Sequence, residues 1–378
     1  MGLDPETMGA PPSHGGRKAA VMVGLSGGVD SSVAALLLLE AGYDVRALFM
    51  KNWEEDDDAG YCAAAADLAD AQAVAERLGI VLHAVNFAAE YWERVFAEFL
   101  AEYRAGRTPN PDVGCNKEIK FRAFLDYALT LGAERIATGH YARIAADRSG
   151  WQLRLGADLD KDQTYFLYRL DQDQLARSLF PLGTLHKTNV RETARRAGLP
   201  TAGKRDSTGI CFIGERRFRE FLARYVRRDP GPIETPEGRL LGQHEGLAYY
   251  TIGQRRGLGI GGITGRLEEP WFVARKDMQR NALIVVQGHD HPLLMARLLE
   301  ASQLHWIAGT PPGAPPLSCR ARLRHRAPLE RCEVTGLDGH SARIRFDRPQ
   351  RAVTPGQDVV LYAGDRCLGG GVIDRAWN

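Results

Sequence analysis

Short apolar runs at residues 19–25, 44–50, 81–86 and 135–138 predict buried strands, and the segments between them, 31–41, 63–78, 90–104 and 119–131, carry apolar residues at helical spacing. The first and last of these helical segments stop at Gly42 and Gly132, residues suited to a helix C-terminus. Regular alternation of strand and helix predicts an α/β fold with a doubly wound parallel sheet, in which ligands bind beyond the carboxyl ends of the strands where the strand order reverses. Three segments fall at such ends: 26–32 after the first strand, 50–53 after the second and 139–141 after the fourth. After about Phe218 the pattern changes. Residues 216–228 read as one basic helix ending at Pro230, beyond which Gly and Pro increase. Short alternating runs at 271–275, 282–287, 318–324, 342–346 and 358–362 then predict a small β domain, a break near 289–292 and a C-terminal β-barrel. The expected division is a disordered extension at 1–17, an α/β domain at 18–217, a central β-rich domain at 218–290 and the barrel at 291–378.

Composition narrows the class. A chain of 378 residues, 44% hydrophobic and 25% charged, has the makeup of a globular protein with two or three domains. The net charge of +2 is small, so any nucleic-acid surface must come from local clustering. No apolar stretch approaches the roughly 20 residues that span a bilayer. The start is rich in Pro, Gly and polar residues and lacks the apolar core of a signal peptide. The six cysteines, Cys62, Cys115, Cys211, Cys319, Cys332 and Cys367, are scattered, the usage of a cytoplasmic protein with reduced thiols.

The segment Ser26-Gly27-Gly28-Val29-Asp30-Ser31-Ser32 joins a predicted buried strand to a helix N-terminus. Adjacent glycines let the backbone approach an anion, the first helical turn offers unpaired N–H groups, and Ser26, Ser31 and Ser32 add hydroxyls, so the segment reads as a phosphate cradle. It has neither the Lys-Ser/Thr pair of a Walker loop nor a G-x-G-x-x-G fingerprint, and resembles instead the S-G-G-x-D-S loop of the ATP pyrophosphatases. The acidic run 54–58 reads as a solvated loop or an aid to magnesium binding.

Two cysteines stand out by context. Thr108-Pro109-Asn110-Pro111-Asp112-Val113-Gly114-Cys115-Asn116 reads as a rigid, non-helical loop presenting Asp112 and Cys115 outward, because each proline disfavours helix at the residue before it. Cys211 lies near Lys204 and Arg205, cations that can lower a thiol pKa. Cys319, Cys332 and Cys367 fall in predicted barrel strands and read as small buried hydrophobes. C-x-x-C spacing is absent, so no metal site is expected, although Cys62, Cys115 and Cys211 could meet in space. Arg320, Arg322, Arg324 and Arg326 alternate along one predicted strand, four cations on one face, with Arg331, Arg343, Arg345, Arg348 and Arg351 nearby, as a phosphate-binding surface requires.

From about Ala20 the chain resembles, along nearly its whole length, the bacterial tRNA-specific 2-thiouridylase (MnmA/TrmU) family. The matching segments are 24–32, 108–121 (T-P-N-P-D-V-G-C-N-K-E-I-K-F), 137–141 (A-T-G-H-Y), 161–168 (K-D-Q-T-Y-F-L-Y), 206–214 (D-S-T-G-I-C-F-I-G), 253–262 and 353–360. The phosphate loop alone indicates only the superfamily, whereas the two cysteine motifs in this order are highly specific. The resemblance implies a sheet of the adenine nucleotide alpha-hydrolase type (PP-loop ATP pyrophosphatase) and ATP-dependent thiolation of the wobble uridine. The C2 oxygen would be adenylated, with magnesium assisting, and sulfur would come from a cysteine persulfide. The ATP contacts carry over to Gly24, Leu25, Ser26, Gly27, Gly28, Val29, Asp30, Ser31, Met50 and Gly139. Asp30 would orient the loop or a metal, or else cap the following helix.

Cys211 matches the persulfide residue, Cys115 its partner and Asp112 the acid/base residue. Asn110, Pro111, Asp112, His140, Lys161, Asp162, Gln163, Arg324, His325 and Gln357 match positions near bound tRNA. His325 departs from the tyrosine expected there. The resemblance further implies tRNA acceptors for Lys, Glu and Gln, a persulfide carrier of the TusE or cysteine desulfurase type, and a monomer. The residues also admit another ATP pyrophosphatase, such as an amidotransferase-linked synthetase or a 4-thiouridine-forming enzyme, and a noncatalytic nucleotide-gated RNA-binding protein.

Overall fold

The structure, a computed structural model, describes residues 18–54, 63–206, 218–260 and 269–378. The extension expected at 1–17, most of the acidic run, Cys62 and the segment carrying Cys211 lie outside the described residues.

Strand β1 (Ala20–Gly24) is buried at every position. Met22 and Val23 are fully enclosed, and each such side chain contributes roughly 1.5–3 kcal/mol. β1 pairs in parallel with β2 (Asp44–Lys51) on one side and β4 (Arg135–Ala137) on the other. β3 (Leu82–Asn86) extends the sheet beyond β2. A hairpin of β5 (Ala142–Asp147) and β6 (Gly150–Leu155) follows β4, and β7 (Ser178–Leu179) completes the order β3-β2-β1-β4-β7. The order reverses between β1 and β4, which places the loops after both strands at one crevice.

Helix α1 (Val29–Glu40) is apolar on two sides and needs both. Ala35 and Leu38 pack with Val21, Val23 and Val45 of the sheet, while Val33, Ala34 and Leu37 pack with Val190 and Ala194. Helix α2 (Ala63–Leu78) lays Ala71, Val74 and Ala75 over Ala47 and Phe49. Helix α3 (Ala88–Tyr91) runs through a π-helical stretch, Trp92–Phe96, into α4 (Ala97–Arg104).

The proline-rich stretch departs from the expected loop: it forms α5 (Pro111–Cys115), continued by a π-helical stretch, Asn116–Ala123, into α6 (Phe124–Thr130). Proline disfavours helix only before itself. Asn110 is extended and serves as N-cap, and Pro111 occupies the first turn, where its missing N–H costs nothing. Helix α7 (Lys187–Arg196) backs α1. Of the basic helix expected at 216–228, residues 216 and 217 lie outside the described residues, and the rest forms a short α8 (Phe218–Leu222), after which Arg224 and Tyr225 close a turn. Its Phe221, with Tyr225, joins an aromatic cluster of Trp53, Trp92 and Phe96, which fastens the chain after the α/β domain onto the π-helical stretch between α3 and α4.

The middle sheet has the order β10-β11-β8-β9, from β8 (Gly231–Glu234), β9 (Leu240–His244), β10 (Trp271–Asp277) and β11 (Ala282–Gln287). The C-terminal sheet comprises β12 (Met295–Trp306), β13 (Leu317–Arg322), β14 (Glu330–Leu337), β15 (Ala342–Arg351), β16 (Asp358–Ala363) and β17 (Arg366–Trp377), closed into a barrel by β12 pairing with β17. The β5–β6 hairpin adds to the edge of β17 through Leu153 opposite Cys367, and Asp365 binds Arg143 and Arg154. One sheet thus joins the two ends of the molecule. Among the described residues no helix is long and apolar enough to cross a membrane.

Candidate active site

The loop between β1 and α1 turns on Gly27, whose φ of +72° suits glycine and where a Cβ would lie 2.3 Å from the Asp67 carbonyl oxygen. Gly28 is the N-cap of α1 and has no side chain to cap it, so the first turn faces the crevice with its N–H groups uncapped by a side chain. The Ser31 hydroxyl shapes the loop from inside, accepting from the Ser26 N–H at 3.2 Å, donating to the Gly28 carbonyl at 3.1 Å and lying 3.2 Å from the Ser26 hydroxyl. Ser32 differs from the expected phosphate donor. It is fully buried, donates to the Gly28 carbonyl at 2.8 Å and accepts from Thr201 at 3.0 Å.

Met50 and Gly139 close the same crevice. A Cβ on Gly24 would stand 3.4 Å from the Met50 methyl, and one on Gly139 would stand 2.7 Å from the Ser31 nitrogen. Only glycine at 139 lets the segment after β4 touch the first turn of α1. Leu25 and Val29 are buried loop ends. Asn52, also at the carboxyl end of β2, is 2% exposed, and neither amide atom has a hydrogen-bond partner.

Asp30 caps nothing. Its carboxylate accepts from Lys187 Nζ at 2.7 and 2.8 Å and from the Tyr141 hydroxyl at 2.8 Å. The same ammonium lies 2.8 Å from Asp206, which also binds Lys161 at 2.9 Å and Arg191 at 2.6 Å. Burial would raise the Asp206 carboxyl, but hydrogen bonds and charge from Lys187 and Lys161 outweigh it and hold the pKa at about 2. Burial and the Asp30 charge push the Tyr141 hydroxyl up, so it stays a donor. Sequence alone assigns neither Lys187 nor Tyr141 to this clamp. Nothing local marks them for it, and Lys187 is 157 residues from the carboxylate it grips.

Cys115, expected to face outward, is fully buried at the end of α5, where the chain enters the π-helical stretch, a distortion that recurs at functional sites. The stretch before α5 is tied to the barrel. Asn110 donates to Asp358 at 3.0 Å, Gln357 donates to the Thr108 carbonyl at 2.8 Å, and the Thr108 N–H donates to the Pro355 carbonyl at 2.9 Å. Asp358 in turn accepts from the Tyr168 hydroxyl at 2.8 Å, and burial raises its pKa to about 6. The structure thus joins Asn110 and Gln357 and aims both at internal partners.

The remaining residues matched to tRNA contacts divide. His140 is buried between Phe121 and Phe180 with Nδ1 2.7 Å from Thr138, and burial and Lys120 keep it neutral. Asp162 is a buried anchor, accepting from the Gly156 N–H at 2.9 Å, Thr164 at 2.8 Å and Arg322 at 2.6 Å. Gln163 accepts from the Tyr141 N–H at 3.0 Å. His325 packs on Phe166 with ring centres 4.6 Å apart, and burial, with Arg326, Arg322 and Lys161, lowers its pKa to about 4.

The four-cation face does not form. Arg322 is buried against Asp162, while Arg320, Arg324 and Arg326 are exposed, the Arg324 guanidinium donating to the Ala352 carbonyl at 2.6 Å. Arg343 and Arg345 pair with Glu300 and Glu333, while Arg331 and Arg348 are exposed. Lys204, expected to act on Cys211, is engaged by Asp67 and Asp70 of α2, which outweigh burial and raise its pKa. Among the described residues no cluster of three His, Cys, Asp or Glu side chains forms a metal site.

Three family profiles match the chain in series: a tRNA methyl transferase HUP domain at 19–215, a PRC-barrel domain of the same name at 219–287 and an aminomethyltransferase β-barrel domain at 296–373. The chain is 61% identical to a tRNA-specific 2-thiouridylase from Methylococcus capsulatus over 96% of its length and 98% of that protein's. It is 59% identical to one from Pseudomonas aeruginosa, over 95% and 96%. A solved 4-thiouridine synthetase–RNA complex with bound ATP is 18% identical, with a TM-score of 0.36 over 55% of this chain and 50% of that one. Identity of about 60% over nearly the full length places the chain in the tRNA-specific 2-thiouridylase family.

Proposed function

We propose that the protein catalyses ATP-dependent 2-thiolation of the wobble uridine of tRNA. The observation that carries this reading is the full-length identity to 2-thiouridylases, and the geometry of the phosphate loop supports the first step. The uridine O2 attacks the α-phosphorus of ATP, the α–β phosphoanhydride bond breaks, and pyrophosphate leaves. The uncapped first turn of α1 and the Ser26 hydroxyl stabilise that departing charge, while the Ser31 hydroxyl holds the loop from inside. Lys187 and Tyr141 hold Asp30 so that the loop keeps its shape. Met50 and Gly139 bound the nucleotide site. Both Asp30 oxygens accept from Lys187, so an ammonium already matches this carboxylate's charge, and magnesium would be held chiefly by the ATP phosphates.

In the second step a persulfide on Cys211 attacks C2 and AMP leaves. The Cys115 thiolate then attacks the Cys211 sulfur, breaking the persulfide S–S bond; sulfur stays on C2, and a Cys115–Cys211 disulfide forms, which an external thiol reduces. Asp112 moves the proton during attack on the ring. The anticodon base is flipped from its loop to reach the site, at a cost of a few kcal/mol offset by backbone contacts. Pro111 and Asn110 position Asp112, and His140, Lys161, Asp162, Gln163, Arg324, His325 and Gln357 shape the tRNA-facing side, several of them through the internal bonds described above. The acceptors are tRNAs for Lys, Glu and Gln, sulfur comes from a persulfide carrier of the TusE or cysteine desulfurase type, and the enzyme acts as a cytoplasmic monomer with domains at 18–217, 218–290 and 291–378.

The test is Cys211→Ser in a single turnover. Pyrophosphate release with adenylated, sulfur-free tRNA is expected; normal thiolation overturns the assignment of Cys211.

A further inference from the structure

Cys319 and Cys332 lie directly opposite each other on the antiparallel strands β13 and β14, flanked in register by Ser318 opposite Glu333 and Arg320 opposite Arg331. Opposed residues of an antiparallel pair have Cα atoms about 4.5–5.5 Å apart, inside the roughly 4.4–6.8 Å window of a disulfide. Their sulfurs are 3.5 Å apart, so a bond of about 2.05 Å closes by side-chain rotation, without a shift of either strand. Both sulfurs point to the barrel core, Cys332 buried and Cys319 partly open.

We propose that Cys319 and Cys332 form a reversible dithiol–disulfide pair, a redox modification site separate from the cysteines that handle sulfur for tRNA. The reaction needs a low-molecular-weight disulfide as oxidant. The more accessible Cys319 attacks one of its sulfurs and releases the first small thiol; Cys332 then attacks the Cys319 sulfur of the mixed disulfide and releases the second. Two protein thiols are oxidised, one small disulfide is reduced to two thiols, and the two protons leave with them. The hydrogen bond from Cys332 lowers the Cys319 pKa against burial, which suits it to the attacking role. The bridge staples the β13–β14 hairpin just ahead of Arg322, the residue that ties the barrel to Asp162. Cys367, fully buried on β17, is the internal control.

The test equilibrates the native full-length protein with graded ratios of reduced and oxidised glutathione, then unfolds it in an alkylating agent and maps the peptides. A linked 319–332 peptide should appear and saturate as the ratio falls, revert with excess reduced thiol, and leave Cys367 alkylatable throughout. Cys332→Ser should trap glutathione on Cys319, and Cys319→Ser should leave residue 332 as a thiol. Two freely alkylatable thiols at 319 and 332 under excess oxidised glutathione overturn the proposal. So does glutathione persisting on Cys319 of the unaltered protein without a bridge. Because the measurement omits tRNA and ATP, its failure leaves the thiolation reading intact.

Discussion

Replacing Arg322 with methionine separates structural from RNA-binding arginines. The guanidinium and its partner carboxylate are 6% and 0% exposed and 2.6 Å apart, and Asp162 is further held by the Gly156 N–H and the Thr164 hydroxyl. Methionine approximates the arginine stem but leaves a buried carboxylate without its counter-charge. Breaking a buried pair from one side costs about 3–5 kcal/mol, and the two surviving hydrogen bonds put this case near the lower figure. Arg320, exposed and facing Arg331, should change stability by less than about 0.5 kcal/mol when replaced by alanine. It should instead weaken tRNA binding and flatten its salt dependence, by about 0.7–0.9 in the log–log slope for each phosphate it no longer neutralises. Urea denaturation and tRNA titrations at several salt concentrations read both quantities. Asp162→Asn with Arg322→Met should recover part of the stability, because no charge is then buried alone. Wild-type stability of the Arg322→Met protein combined with a fall in salt slope equal to that of Arg320→Ala would refute the division of roles.

Other outcomes follow from the same geometry. Asp358, raised to about 6 from an ordinary 3.8 by burial, favours the folded state most when protonated. Its contribution, about 3 kcal/mol, should be full below pH ~4 and fade as the pH rises through 6, and Asp358→Asn should flatten that slope in thermal melts against pH. Lys187→Met frees Asp30 from its clamp and should slow pyrophosphate release on the order of a hundredfold, as misplacement of a reacting group does, with folding checked by circular dichroism. Gly139→Ala forces a methyl to within 2.7 Å of the Ser31 nitrogen and should abolish ATP binding in a nucleotide titration while costing about 1–3 kcal/mol.

The strand–loop–helix around Gly27 is legible in the sequence because every local signal agrees: an unbroken apolar run, paired glycines and helical periodicity immediately after. The barrel is legible only in part. β12 mixes Leu, Glu, Gln and His without a clean period of two, and β17 contains Gly369, Gly370 and Gly371, residues depleted in strands. Those glycines are there because a Cβ on each would lie within 2.0–2.6 Å of a carbonyl on a neighbouring strand. Tight closure overrides propensity. Asp112 and Cys115 stand out by their motif, yet the helix beneath them does not, since the prolines that argue against helix also start one at Pro111. The alternation of Arg320 to Arg326 reads as one charged face, but the strand ends at Arg322, and Asp162, far away in sequence, claims that residue. Partners of this kind, like Lys187 for Asp30, are set by which elements meet, and that information is carried by the fold and not by any local window.

Thiolation at the wobble position is tested most directly by incubating the protein with ATP, a persulfide donor and unmodified tRNA for glutamate, then digesting the tRNA and locating sulfur by mass spectrometry of its fragments. The predicted result is a single uridine, at the wobble position, that has exchanged its C2 oxygen for sulfur, with one AMP and one pyrophosphate formed per sulfur. Sulfur at another base or at C4 of a uridine, or AMP formation with the anticodon unchanged, would contradict it.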